Sequence, residues 1–378
     1  MKVLCAPDSF KGSLSAEQAA EAMARGVLRA RPEAEVDLCP VSDGGEGFSQ
    51  VITQAHPHEA ITTPTLDPIG RPIRAQWFML RQNEHNTVAV IEMAAASGLT
   101  LLEHAERDPT RTSTFGTGLL IRAALDADCE RIILGIGGSA TCDGGCGMAQ
   151  ALGVRFYDGF GREIDQPITG GLLPRLAHID MTGLDERLHA VSFTVACDVT
   201  NPLTGPEGAA YVFAPQKGAS LDQVEQLDAG LKHLASLWRT QLGKGIEFHP
   251  GAGAAGGLGG GLLAFCDAKL QSGVQIVLDT VRFDQRVRGC DLCLTGEGSL
   301  DGQSLKGKAV IGVAKAARNH GVPTMALVGR FGPDYENALD AGLKDAIEIA
   351  PGTSVDESMA RAAEFLEQAA ERVILSIA

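Results

Sequence analysis

The sequence is short of positive charge. Lysine and arginine number 32 against 47 aspartates and glutamates, a formal net charge of −15. Such a surface repels polyanions and anionic lipid, which argues against a non-specific nucleic-acid or membrane-surface binder. A local cationic pocket for a small anion remains compatible with it. Long apolar runs are also missing, and none approaches the ~18 residues of a membrane span. The opening run Val3–Ala6 is too short for a signal peptide. The nine cysteines are odd in number and irregularly spaced. Cys290 and Cys293 form a CxxC pair inside an apolar run that reads as a strand, which would turn the two side chains to opposite faces. Cys142 and Cys146 have no second pair to complete a zinc site. Reduced thiols in a soluble, cytoplasmic protein are the expectation. The nine histidines lie outside the motifs described below, which weakens a Ser–His hydrolase. There is no repeat of fixed period and no low-complexity tail.

Glycine, in contrast, is abundant. There are 46 in 378 residues, roughly 12% against an average of about 7%. The composition, 44% hydrophobic and 21% charged, is that of a globular chain. Its length suits two domains at ~100–200 residues each. The start reads βαβα. An apolar run at Val3–Ala6 leads through a polar loop to Ser15, an N-cap with Gln18 three residues on, and a helical pattern from Ala16 to Arg31. A second strand is expected at Val36–Val41. After about residue 283 strands and helices alternate again. Together the two ends supply five strands, which suit a parallel sheet of flavodoxin-like order 2-1-3-4-5. The expected fold is therefore α/β with two domains. A discontinuous flavodoxin-like domain (1–58 and 283–378) carries an inserted α/β domain (59–282), with a ligand cleft expected between them. In the insert, the DPIGRP run (67–72) reads as a turn between strands, 221–241 as a long amphipathic helix, and a further helix is expected near 262–270.

The glycines cluster in loops that also carry charge. APDSFKG (6–12) follows the first strand and contains Asp8, Ser9 and Lys11. TGEGSLDG (295–302) follows the third strand of the proposed sheet and contains Glu297 and Asp301. In a 2-1-3-4-5 sheet these strands are neighbours at the switch point, where ligands bind. SDGGEG (42–47) adds Asp43 and Glu46, although Asp43 serves equally as an N-cap. GIGGSATCDGG (135–145) runs from a strand through Gly137, Gly138 and Ser139 to Asp143 at a helix start, a pattern that offers backbone N–H groups to an anion. It is neither a Walker A loop nor a GxGxxG fingerprint. Thr112, Ser113, Thr114 and Thr117 in TSTFGTG (112–118) could meet phosphate or cap a helix equally well. ACDVTNPLTGPEGA (196–209) puts Asp198 at a strand end, and FAPQKGA (213–219) supplies Lys217. Lys306 and Lys308 follow TGEG, while PGAGAAGGLGGG (250–261) reads mainly as a tight-packing segment. Acids, glycine loops and a few lysines together suit Mg²⁺–nucleotide chemistry.

Taken in order, APDSFKGSLSA, SDGGEG, IEMAAASGL (91–99), GIGGSAT with DGG, ACDV with NPLTGP, PQKGA, PGAGAAGGLG and TGEG cover nearly the whole chain. They resemble the bacterial type 1 glycerate kinase family, the glycerate 2-kinases of glyoxylate and aldarate breakdown. The resemblance implies ATP-dependent phosphorylation of D-glycerate to 2-phospho-D-glycerate with Mg²⁺, and a two-domain α/β structure. The expected partners are D-glycerate and ATP, with no nucleic acid or membrane; homo-oligomerisation is not set by the sequence. The expected catalytic residues are Asp8, Lys11 and Asp198, with Asp8 or Asp198 as the base. Ser9, Gly137, Gly138, Ser139, Asp143, Lys217 and Lys308 are expected at substrate or phosphate, and Asp43, Glu46, Glu297 and Asp301 at the metal. Three positions depart from the family pattern: Cys142 replaces an asparagine, Ser299 an arginine, and Leu119 an acid. The alternatives are a Mg²⁺-dependent phosphohydrolase and a non-catalytic sugar-acid sensor.

Overall fold

The computed structural model describes residues 1–42, 48–54, 56–83, 86–302 and 309–377. The strands in chain order are β1 (Lys2–Cys5), β2 (Glu35–Leu38), β3 (His58–Leu66), β4 (Pro72–Asn83), β5 (Asn86–Glu92), β6 (Arg131–Gly135), β7 (Arg155–Asp158), β8 (Leu176–Asp180), β9 (Ser192–Ala196), β10 (Lys269–Gln271), β11 (Leu292–Leu300), β12 (Thr324–Phe331) and β13 (Asp345–Glu348). The chain divides into two compact units, Met1–Ala55 with Ser272–Ala378, and His56–Gln271.

The first unit is built on a sheet of order β13-β12-β11-β1-β2. Every pairing in it is parallel. Counted within the unit, this is the order 2-1-3-4-5. Parallel strands bury both faces, and the sequence supplies two helical layers to do so. The helix Ala16–Ala30 starts at a Ser15/Gln18 capping box. Its Met23 and Val27 pack with Val3, Leu292 and Leu327 of the sheet and with Leu366 and Val373 of the helix Ala362–Ile377. Val310, Ile311 and Ala314 of the helix Ala309–Asn319 cover Ala326 and Val328 on the other side. The chain re-enters this unit at Ser272, ahead of the expected residue 283. The helix Gly273–Thr280 belongs here because Val274 packs directly on Gly312 of Ala309–Asn319.

β11 is longer than expected. The TGEGSL stretch, read from sequence as a loop, continues the strand and pairs with β12, Glu297 opposite Val328 and Ser299 opposite Arg330. The ladder continues past β1 as well. The amide of Ala6 donates to Leu294 O at 2.7 Å and that of Asp8 to Gly296 O at 2.9 Å. The loop after β1 is thereby clamped along β11.

The second unit carries a sheet of order β10-β9-β6-β5-β4-β3. β3, β4 and β5 form an antiparallel meander, while β5, β6, β9 and β10 run parallel. The expected turn at 67–72 is closed by Asp67, whose Oδ1 accepts from the amides of Ile69 and Arg71. The helix Leu221–Gln241 spans the range expected from its periodicity, opening at a Ser220/Gln223 capping box. Its Leu231 and Trp238 enter a core with Ile91, Leu120, Leu134 and Val195. The glycine-rich helix begins at Ala254 and ends at Phe265, earlier than expected, and is kinked at Ala255–Gly257. At Gly256, with φ +69°, a Cβ would lie 1.9 Å from Thr141 O. Among the described residues no helix is long and apolar enough to cross a membrane.

Candidate functional site

In the first unit the carboxyl ends of β1, β11 and β12 open into a cavity of about 320 Å³. Asp8, Ser9 and Lys11 enter it from the loop after β1, Glu297 and Ser299 from β11, and Arg330 from β12. Two charged loops far apart in sequence thus meet in one place, at the switch point of the sheet. Asp8 is buried, and its Oδ1 accepts the Ser9 amide at 2.6 Å. Glu297 is also buried. Thr295 Oγ1 donates to Ala6 O at 2.8 Å and fastens the two strand ends together. Asp8, Ser9, Lys11 and Ser13 also line a second cavity of about 300 Å³ in this unit, beside Ser15 and Ser42. The loop 8–13 therefore forms a partition between two cavities.

The cavity includes residues that the motif reading did not single out. Arg330 sits on the strand paired with Ser299, so the cation absent from β11 at that position has a counterpart on β12. Val355, Met359 and Ala362 contribute an apolar side. Applying the carboxyl-end rule to the fourth strand of the sheet would have found Arg330; nothing in the sequence pattern marked the others. Asp301 follows β11 and lies outside the lining of this cavity. Asp43, Glu46, Lys306 and Lys308 lie outside the described residues. Among the described residues there is no group of three or more metal-ligating side chains.

In the second unit the loop after β6 carries Gly137, Gly138 and Ser139. Lys217, only 2% exposed, reaches this loop and donates to Ser139 Oγ and to Thr141 O, both at 2.7 Å. Burial lowers its pKa from 10.5 to about 8, while Cys142 and Asp143 pull the other way. Two acceptors serve the three protons of its ammonium, and no carboxylate among the described residues pairs with it. The hydroxyl of Thr141 is buried with no hydrogen-bond partner among the described residues. β9 lies beside β6 with Ala196 opposite Gly135. Asp198 follows the carboxyl end of β9, next to the strand that feeds the lysine-bound loop.

Asp143 is bonded to amide and hydroxyl donors around its loop. It is fully buried. Its Oδ2 accepts from Thr114 N at 2.8 Å, Thr114 Oγ1 at 2.7 Å and Gly147 N at 3.1 Å, and its Oδ1 from Gly145 N at 3.2 Å. Burial raises its pKa and these hydrogen bonds oppose the rise. Its oxygens are occupied, so it shapes the loop from within. Three hydroxyls of TSTFGTG are engaged within the fold: Thr112 Oγ1 donates to Ala140 O, Thr114 Oγ1 donates to Asp143, and Thr117 bonds Ser97. The glycine loops of this unit pack on each other, with the Gly144 amide donating to Gly256 O at 3.1 Å.

The chain has clear relatives. The model of the glycerate kinase family matches residues 3–378. A glycerate kinase of Bacillus subtilis is 47% identical over 378 residues, covering 100% of this chain and 98% of that protein. A glycerate 2-kinase of Escherichia coli is 41% identical, with 100% and 98% covered. A crystal structure from Salmonella typhimurium LT2, solved as a candidate glycerate kinase 2, superposes with a TM-score of 0.87 at 41% identity, covering 100% of this chain and 98% of that one. With the parallel sheet, the acid-and-lysine cavity at its switch point and matches along the whole chain, this protein belongs to the glycerate kinase family.

Proposed function

We propose that the protein transfers the γ-phosphoryl group of ATP to the 2-hydroxyl of D-glycerate, giving 2-phospho-D-glycerate and ADP. The observation that carries this reading is the single cavity shared by Asp8, Lys11 and Glu297. Phosphoryl transfer needs positioning, a cation for the phosphate charge and a group that accepts the hydroxyl proton. In this proposal Asp8 takes the proton from the 2-hydroxyl as the oxygen attacks phosphorus, and the bond to the ADP oxygen breaks. Ser9 and Lys11 hold the anionic group in flight. Asp198 remains the alternative base, in the second unit. Lys217, with its spare proton, holds a substrate anion beside Gly137, Gly138 and Ser139. Lys308 keeps its expected role of neutralising phosphate charge.

The donor set fits Mg²⁺. That ion takes one or two carboxylates and fills its shell with phosphate and water. Asp8 and Glu297 are two carboxylates on one cavity. Glu297 would hold the metal, with Asp301, Asp43 and Glu46 as further candidates. When bound, Mg²⁺ supplies neutralisation of the nucleotide's phosphate charge. The nine cysteines, none in a disulfide, support a reducing, cytoplasmic setting.

The test is an assay with ATP, Mg²⁺ and D-glycerate, coupled through enolase. Enolase consumes 2-phosphoglycerate directly, whereas the 3-phospho isomer needs a mutase first. Product in the assay without mutase is expected. Phosphate release without an acid-bound product would favour the hydrolase, and no ATP turnover the sensor. Asp8→Asn should lower kcat by about 10²–10⁴. If Asp198→Asn does so instead, the base lies in the second unit.

A further inference from the structure

The first-unit cavity has a side that a three-carbon acid cannot use. Val355 is 57% exposed and Met359 41%, yet both line this cavity, together with Ile349, Ala362 and Phe10. Isolated exposed apolar side chains need no explanation, but here they gather in one concave site. Lys11 and Arg330 line the same cavity, both without a hydrogen-bond or ion-pair partner among the described residues. The helix that carries Val355 and Met359 is tied to the loop after β1, where Ser13 Oγ donates to Met359 O at 2.8 Å.

A ligand for this cavity must therefore have a flat or apolar part and an anionic tail. D-glycerate is polar throughout and gains nothing from five apolar side chains. A nucleoside triphosphate has both parts. We infer that the nucleobase of ATP binds against Val355, Met359 and Ala362, with its phosphates running to Arg330 and Lys11. Lys11 lies on the partition between the two cavities of this unit. The terminal phosphate thus arrives where the second cavity begins, and that cavity takes the acid. This assignment rests on the kinase reading above.

The experiment uses the full chain. The kinetic arm measures KM for ATP and for D-glycerate in Met359→Asp and Val355→Asp. A carboxylate here removes apolar contact and repels phosphate, at positions exposed enough for the fold to survive. KM for ATP should rise about tenfold or more, with KM for D-glycerate within about twofold. A rise confined to D-glycerate, or no rise in either, overturns the inference. The second arm photolabels the wild-type protein with 8-azido-ATP and maps the peptides. Label on the segment 349–362 is expected, and decides the case if both KM values rise. Label confined to His56–Gln271 overturns the inference. Wild-type protein that makes no phosphoglycerate refutes the kinase reading itself, and the nucleotide assignment with it. Wild-type protein that makes it, but carries the label elsewhere, refutes only the placement.

Discussion

Lys217 allows a quantitative test in alkaline solution. Its amine is fully buried and its pKa falls from 10.5 to about 8, with burial as the main cause. Hydrogen-bond stoichiometry supports this shift. A neutral amine has two N–H groups, and the fold offers two acceptors, Ser139 Oγ and Thr141 O. Below pH 8 the folded state must carry a third proton that finds no partner among the described residues. The unfolded chain keeps its lysine protonated up to about 10.5, so between these values it binds more protons than the folded chain, and stability rises with pH. At about 1.36 kcal/mol per pH unit the protonated form costs roughly 3 kcal/mol, about three-quarters of it relieved by pH 10. Lys217→Met removes the titrating group and its two hydrogen bonds. Urea unfolding of both proteins at pH 7, 8, 9 and 10 should show the wild type gaining on the variant by roughly 2–3 kcal/mol across the series. A difference that stays constant with pH would refute the argument. Anionic substrate should blunt the effect, because an anion beside the third proton favours the charged form.

Three further outcomes follow from the second unit and the thiols. Asp143→Asn turns an amide toward the donors of Thr114 and Gly147. It should cost about 2–4 kcal/mol in urea unfolding, whereas a loss below about 0.5 kcal/mol would mean the site repacks freely. Gly256→Ala meets Thr141 O at 1.9 Å as well as the left-handed backbone, so it should lower the unfolding midpoint more than Gly70→Ala. Gly70 has the same backbone demand, at φ +88°, but open space around it, so only the backbone cost of about 1–2 kcal/mol applies there. Of the nine free cysteines only Cys197 is not buried. An aromatic disulfide reagent should therefore modify one thiol first in native protein, and peptide mapping should find it at Cys197. The reaction should be slow, since burial raises that thiol to about 11.

Periodicity and loop position made much of the first unit readable. The Ser15/Gln18 cap and the alternating elements at the two ends of the chain were enough for a 2-1-3-4-5 sheet, and the sheet order brings Asp8 near Glu297. What stayed hidden was geometry that has no local signature. Glycines and a glutamate in TGEGSL look like a loop, yet parallel pairing to β12 holds them extended. GIGGSATCDGG looks like a phosphate loop, but much of its glycine answers to the backbone of another glycine-rich segment a hundred residues on, and Asp143 spends its oxygens on amides. Lys217 appeared in the sequence as one lysine among several. Only the fold shows that it is buried and, among the described residues, lacks a counter-ion and has one proton more than its acceptors. The same holds for Val355 and Met359, which in sequence are ordinary apolar residues at the start of a helical stretch. Charge and glycine mark where ligands can approach in a sheet of known order. The apolar part of a binding site emerges only when chain segments from distant positions are seen to share a wall.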